Sequence, residues 1–154
     1  MNDTDNPFIY FPPPLLFIAA LVAGVLVDGN VMTWRHMLHS SQLVGVAIAA
    51  AGLILIAAAL DLFRRNRTSP EPWRPASKLV ATGLYRWTRN PMYLGMSVTS
   101  AGVAIFFESL AAAVLLAIVV LVMDRVVIAR EEAYLSRKFG ADYDSYRGRV
   151  RRWL

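Results

Sequence analysis

The stretch LVGVAIAAAGLILIAAAL, residues 43–60, runs for eighteen residues without a charged side chain or a proline. A helix needs ~17 to 25 such residues to cross the hydrocarbon core of a bilayer. Phe8 to Val27, Met92 to Phe107 and Leu110 to Met123 likewise hold no Asp, Glu, Lys or Arg. With 56% hydrophobic and 18% charged residues in 154, the chain reads as one all-α integral membrane domain. It has four expected transmembrane helices, near residues 14–27, 43–63, 91–107 and 110–128. A loop, 64–90, and a tail, 129–154 with a helical segment, complete it. Pro12-Pro13-Pro14 sets the start of the first helix, because proline is tolerated in a first turn and not in an interior. That leading segment holds Asp3 and Asp5 and no Lys or Arg, unlike a secretory signal, so the first span is expected to be retained.

Charge fixes an expected orientation. Seven basic residues fall between the second and third apolar runs: Arg64, Arg65, Arg67, Arg74, Lys78, Arg86 and Arg89. Eight follow the fourth: Arg125, Arg130, Arg137, Lys138, Arg147, Arg149, Arg151 and Arg152. Only Arg35 lies elsewhere among the sixteen. Basic flanks stay on the cytoplasmic side, so both termini and the 64–90 loop are expected there; the few long loops and the lack of a eukaryotic targeting signal point to a prokaryotic inner membrane. The net charge of +5 belongs to that face, where it suits membrane lipids and anionic small molecules and makes nucleic acid a poor partner. The absence of cysteine removes disulfides and thiolate chemistry. His36 and His39, the two histidines, fall on the opposite side by this topology, so a histidine base is not expected.

Pro70, Pro72 and Pro75 make the 64–90 loop irregular. Asn90-Pro91 then opens the third helix, with Asn90 placed to cap it. The brief Glu108-Ser109 break implies a tight hairpin between the third and fourth helices. Asp124 to Lys138 reads as an extension of the fourth helix, stopped at Gly140 by a left-handed cap. A short last helix would follow, with Tyr143, Tyr146, Val150 and Trp153 on one face. Gly45, Ala49 and Gly52 share a side of the second span, and Gly95 with Gly102 a side of the third, as close helix packing in lipid requires.

Two blocks carry chemistry. Gly83-x-Tyr85-x-x-x-Arg89-Asn90-Pro91-Met92-Tyr93-Leu94-Gly95 places an arginine, two tyrosines and a helix start at the membrane face. Glu131-Glu132-x-x-Leu135-x-x-x-Phe139-Gly140-x-x-Tyr143-x-x-Tyr146-x-x-x-Val150 follows the last span. Together they resemble the isoprenylcysteine carboxyl methyltransferase and phospholipid methyltransferase superfamily, membrane enzymes that use S-adenosylmethionine. The resemblance implies a donor site built from Gly83, Tyr85, Arg89, Asn90, Pro91, Tyr93, Leu94, Glu131, Glu132, Tyr143 and Tyr146, with Arg89, Tyr93 and Glu132 closest to the chemistry. These residue types suit the ligand. Arg89 and the amides after Pro91 match its carboxylate, Glu131 or Glu132 its ammonium or ribose, and tyrosine faces its sulfonium or adenine. No glycine-rich strand-turn-helix nucleotide motif occurs. No metal is expected.

The acceptor implied is a lipophilic small molecule or lipid entering from the bilayer, with a carboxylate or another readily ionised group favoured because it needs orientation rather than a base. Many members of the superfamily carry His where Asn90 stands here, which removes a titratable group. A non-catalytic scaffold or small transporter is the alternative reading. A coupled transporter needs an ionisable group inside the bilayer, and the four apolar runs hold none.

Overall fold

The computed structural model describes residues 11–29, 40–71 and 74–154. Arg35, His36, His39, Pro72 and Trp73 lie outside them, as do Asp3 and Asp5, so the expectations placed on those residues fall outside the described structure. Six α-helices carry the described chain: α1 (Pro13–Val27), α2 (Ser40–Arg65), α3 (Pro91–Phe106), α4 (Leu110–Val122), α5 (Ala129–Phe139) and α6 (Ala141–Arg149). A 3-10 turn spans Gly83–Arg86, and a π-helical segment, Met123–Ile128, joins α4 to α5 without a break. Among the described residues there is no strand.

Two helices are long and apolar enough to cross a membrane: α2, with 26 residues, and the continuous Leu110–Phe139, with 30. Only 17% and 28% of their most apolar windows are buried within the protein, the reverse of a soluble core helix. Leu43, Leu53, Ile54, Val114, Ile118 and Leu121 all face outward. Side chains that would aggregate in water fit lipid. α1 and α3 are shorter, with 15 and 16 residues.

The packing of α2 on α3 follows from their glycines. Gly45 faces Gly102 and Phe106, while Gly52 faces Gly95 and Thr99, so the two small-residue faces meet each other and the helices run antiparallel. A Cβ on Gly52 would collide with the backbone of Thr99, and one on Gly102 with that of Ala49. α1 packs against α4 in the same way, Gly24 lying on Ala112. The chain starts of α1 and α3 and the chain ends of α2 and α4, with α5 continuing from α4, therefore gather at one end of the bundle.

The opposite end is closed by short polar contacts. Ser109 caps α4 through its hydroxyl, which accepts from the Ala112 amide at 3.0 Å. Asp28 Oδ2 accepts from Ser109 Oγ at 2.5 Å and from the Ala111 amide at 3.1 Å, and Ser41 Oγ donates to Glu108 Oε1 at 2.7 Å. The α3–α4 hairpin is as tight as its two-residue break implies.

Two expectations need correction. Asn90 precedes α3 but makes no capping hydrogen bond, because its amide Nδ2 donates to the Arg152 carbonyl at 3.0 Å instead. Gly140 ends α5 at φ 53, ψ −128, which is not the left-handed helical cap. This is a region open essentially to glycine alone, and it turns the chain directly into α6. Tyr143 and Tyr146 then pack inward as their spacing implies, although α6 stops at Arg149 and Val150 is extended.

Candidate active site

At the gathered end lies a cavity of about 280 Å³, near the lower edge of the ~300–1,000 Å³ usual for ligand pockets. Its walls come from the first turn of α1, the last turn of α2, the 69–80 loop, the start of α3, and α5 with α6. The loop is held down onto α5 by the Ala76 amide, which donates to the Tyr134 hydroxyl at 3.1 Å.

Eight of the expected site residues line this cavity: Tyr85, Arg89, Asn90, Tyr93, Glu131, Glu132, Tyr143 and Tyr146. Gly83, Pro91 and Leu94 do not. Gly83 supplies a positive φ of 58° at the 3-10 turn, against which Leu62 packs. Pro91 fills the first position of α3, and Leu94 lies one turn along it.

Arg89 dominates the electrostatics. Its side chain is 10% exposed, and Nη2 meets Glu132 Oε1 at 3.0 Å. Its Nε and Nη1 are buried and meet no hydrogen-bond acceptor among the described residues. Buried donors almost always find partners, and a guanidinium N–H bonds strongly to an anionic oxygen. Two inward guanidinium donors without a protein partner mark a place for an anionic ligand group.

The two glutamates play different parts. Glu132, buried, is gripped from one side by Arg89 and from the other by Arg152, whose Nε donates to Oε1 at 3.0 Å and Nη2 to Oε2 at 2.6 Å. Glu131 carries no such pair. Its Oε1 accepts from the Tyr93 hydroxyl at 2.6 Å. Glu131 is thus the carboxylate turned to the cavity without a cationic partner in these contacts.

Tyrosines form a wall on the α6 side. Tyr146 donates its hydroxyl to the Tyr85 carbonyl at 2.7 Å, and Phe63 meets the Tyr85 ring edge-on with centroids 5.5 Å apart. Burial, with the Glu132 charge adding to it, pushes the Tyr143 hydroxyl up to about 12. Burial also raises Tyr85, helped by Glu131, and Tyr146, helped by Tyr143. All three are therefore neutral donors and apolar faces at ordinary pH. The Arg152 guanidinium is held still more firmly in its charged form, chiefly by its hydrogen bonds to Glu132.

Sequence reasoning gave Arg151 and Arg152 no part in the site, yet the 151–153 segment braces it. The Arg89 amide donates to the Arg151 carbonyl at 3.0 Å, and the Thr88 hydroxyl to that of Arg152 at 3.1 Å. Trp153 Nε1 donates to Asp124 Oδ1 at 2.8 Å. A basic residue in a basic tail carries no signal of this kind, and only the three-dimensional pairing reveals it.

The family model described as phospholipid methyltransferase matches residues 40–142, covering α2 through the start of α6. The chain belongs to the phospholipid methyltransferase family. Both sequence blocks overlap that match, and so do all the cavity residues of α2, the loop, α3 and α5. A relative from Alcaligenes xylosoxydans xylosoxydans, the nickel-cobalt-cadmium resistance protein NccN, is 33% identical over 97% of this chain and 72% of its own length. An uncharacterized protein of Haemophilus influenzae is 41% identical over 46% of this chain and 87% of its own. The protein-S-isoprenylcysteine O-methyltransferase of Schizosaccharomyces pombe is 32% identical over 47% of this chain, which spans 30% of that enzyme. Family and exposed apolar helices together make this a membrane protein of the methyltransferase type.

Proposed function

We propose that this phospholipid methyltransferase family member binds S-adenosylmethionine in the cavity and methylates a lipophilic acceptor that enters from the bilayer. The observation that carries the reading is Arg89, buried, with Nε and Nη1 directed to no protein acceptor. The donor set fits that cofactor. Arg89 would take its carboxylate by a charge-assisted hydrogen bond from one of its unpartnered nitrogens, and Glu131, steadied by Tyr93, its ammonium or ribose. The tyrosine wall with Met92 and Leu135 would take the adenine and shield the sulfonium. S-adenosylmethionine supplies, when bound, an electrophilic methyl group that leaves as the sulfonium becomes a neutral thioether.

The chain's own residues position and exclude. Methyl transfer gains chiefly from alignment, ~7 to 11 kcal/mol at best, so a rigid cavity is the main catalytic device. The Tyr93 hydroxyl donates to Glu131, which fixes that carboxylate against rotation. Pro13, Pro14 and Met96 line the apolar side of the cavity and suit a hydrocarbon chain. A carboxylate acceptor needs no base, whereas an amine would pass its proton to Glu131. In this reading all four helices span, with the cavity facing the cytoplasm on the strength of the basic loop and tail.

NccN carries metal resistance in its name. The proposal of methyl transfer rests instead on the family match and on the isoprenylcysteine O-methyltransferase relative.

The test is label transfer. Protein reconstituted in vesicles, given methyl-labelled S-adenosylmethionine and separate pools of fatty acids, prenyl acids and phospholipids, should move label into one organic-soluble pool. A folded protein that binds S-adenosylmethionine yet labels none of them would contradict the lipophilic acceptor. One that neither binds nor transfers would restore the scaffold reading.

A further inference from the structure

We propose that Arg152 is a positioning residue of the donor site, holding Glu132 so that Glu132 in turn aims the Arg89 guanidinium into the cavity. The inference rests on the reading of that cavity as an S-adenosylmethionine site. Arg152 itself is not among the cavity-lining residues, so it acts through another group.

An arginine side chain carries ~2 kcal/mol of rotamer entropy, and Arg89 is tied by a single nitrogen, Nη2, to Glu132 Oε1. The orientation of its two unpartnered nitrogens is therefore only as fixed as the Glu132 carboxylate. Arg152 grips both oxygens of that carboxylate at 3.0 and 2.6 Å. Its remaining terminal nitrogen, Nη1, reaches Asp124 Oδ1 at 3.1 Å and the Asp124 carbonyl at 3.3 Å. One guanidinium thus locks α5 to the π-helical segment, while the Arg152 carbonyl receives Thr88 and Asn90 from either side of Arg89.

The π-helical turn makes this bridge possible. Over eight residues a regular α-helix rotates by two turns and about 80°, which would set Asp124 and Glu132 on different faces. A π turn withdraws roughly one residue's rotation, about 100°, and returns them to one face, where a single arginine spans both. Trp153 serves as a contrast within the same segment. It pins Asp124 through Nε1 and has no hydrogen bond to Glu132 among these contacts.

The experiment compares full-length wild type, Arg152→Ala, Arg152→Lys and Trp153→Phe in detergent, measuring S-adenosylhomocysteine and S-adenosylmethionine affinity by calorimetry and the melting temperature of the ligand-free protein. Arg152→Ala should weaken affinity at least about tenfold at a temperature where it is folded. Arg152→Lys, which keeps the charge and loses the two-point grip, should fall in between. Trp153→Phe should melt earlier and bind within about twofold of wild type. Should Arg152→Ala not fold, Arg152→Lys carries the test alone. Wild-type affinity in a folded Arg152 variant, or equal losses in Arg152→Ala and Trp153→Phe, would overturn the role. Wild type without affinity for either ligand would strike the donor-site reading itself, and the positioning role with it.

Discussion

The two ends of the bundle solve opposite problems. At the hairpin end, Asp28, Ser109, Ser41 and Glu108 consume one another's hydrogen-bonding capacity, and Gly45 with Gly102 brings α2 and α3 into backbone contact. At the cavity end, by contrast, the buried Arg89 keeps two nitrogens unpartnered, and a 280 Å³ space remains. Helices in lipid gain little from burying apolar area and must associate by close packing and hydrogen bonds. The closed end provides that association, which lets the open end keep unsatisfied polar atoms for a ligand.

The contrast breaks most severely at the glycines. Gly102→Val places its side chain against the Ala49 backbone, which cannot move aside as a flexible side chain would. No monodisperse folded protein should elute on size exclusion, whereas Trp87→Ala, at an exposed side chain, should elute as wild type.

Next in size is Glu132→Ala, which leaves Arg89 and Arg152 facing each other without their shared anion. Removing one partner of a buried pair costs about 3–5 kcal/mol, so thermal unfolding should shift down markedly and donor affinity should vanish with it. A variant with wild-type melting would show that the Arg89–Glu132–Arg152 chain is not a framework.

Alkaline pH sharpens the same contrast. Tyr143 is raised in the folded state from 10.0 to about 12, and Tyr85 and Tyr146 are raised as well. Folding holds these protons more tightly than the unfolded chain does, so their contribution is intact below pH 10 and is lost as pH climbs from 10 through 12. Tyr143→Phe should lessen that alkaline loss. An unchanged profile would mean the tyrosine wall is more open to water than its burial indicates.

Smallest is Tyr146→Phe, which removes the 2.7 Å bond to the Tyr85 carbonyl. It should cost about 1 kcal/mol, visible as a modest drop in melting temperature with donor affinity largely retained.

Much of this was legible in the sequence, for identifiable reasons. Gly45, Gly52, Gly95 and Gly102 sit at helical spacing, so close packing followed, and the structure adds that the two stripes face each other. Tyr85, Arg89, Asn90, Tyr93, Glu131, Glu132, Tyr143 and Tyr146 shared two motif blocks, and the fold brings those blocks around one cavity. Asn90 read as a cap because local rules weigh only its neighbours, whereas its amide is taken by a carbonyl 62 residues away. Arg152 read as one more positive charge, since nothing local distinguishes it from Arg149 or Arg151. The separate tasks of Glu131 and Glu132 depend on a π-helical turn that no residue pattern announced.

The central claim, that Arg89 receives the carboxylate of S-adenosylmethionine, is tested most directly by calorimetry of that ligand and of its decarboxylated analogue, which lacks only the carboxylate, on wild type and Arg89→Ala. Wild type should bind S-adenosylmethionine far more tightly than the decarboxylated analogue, and Arg89→Ala, still folded, should lose that preference. Equal discrimination by the two proteins would contradict the account.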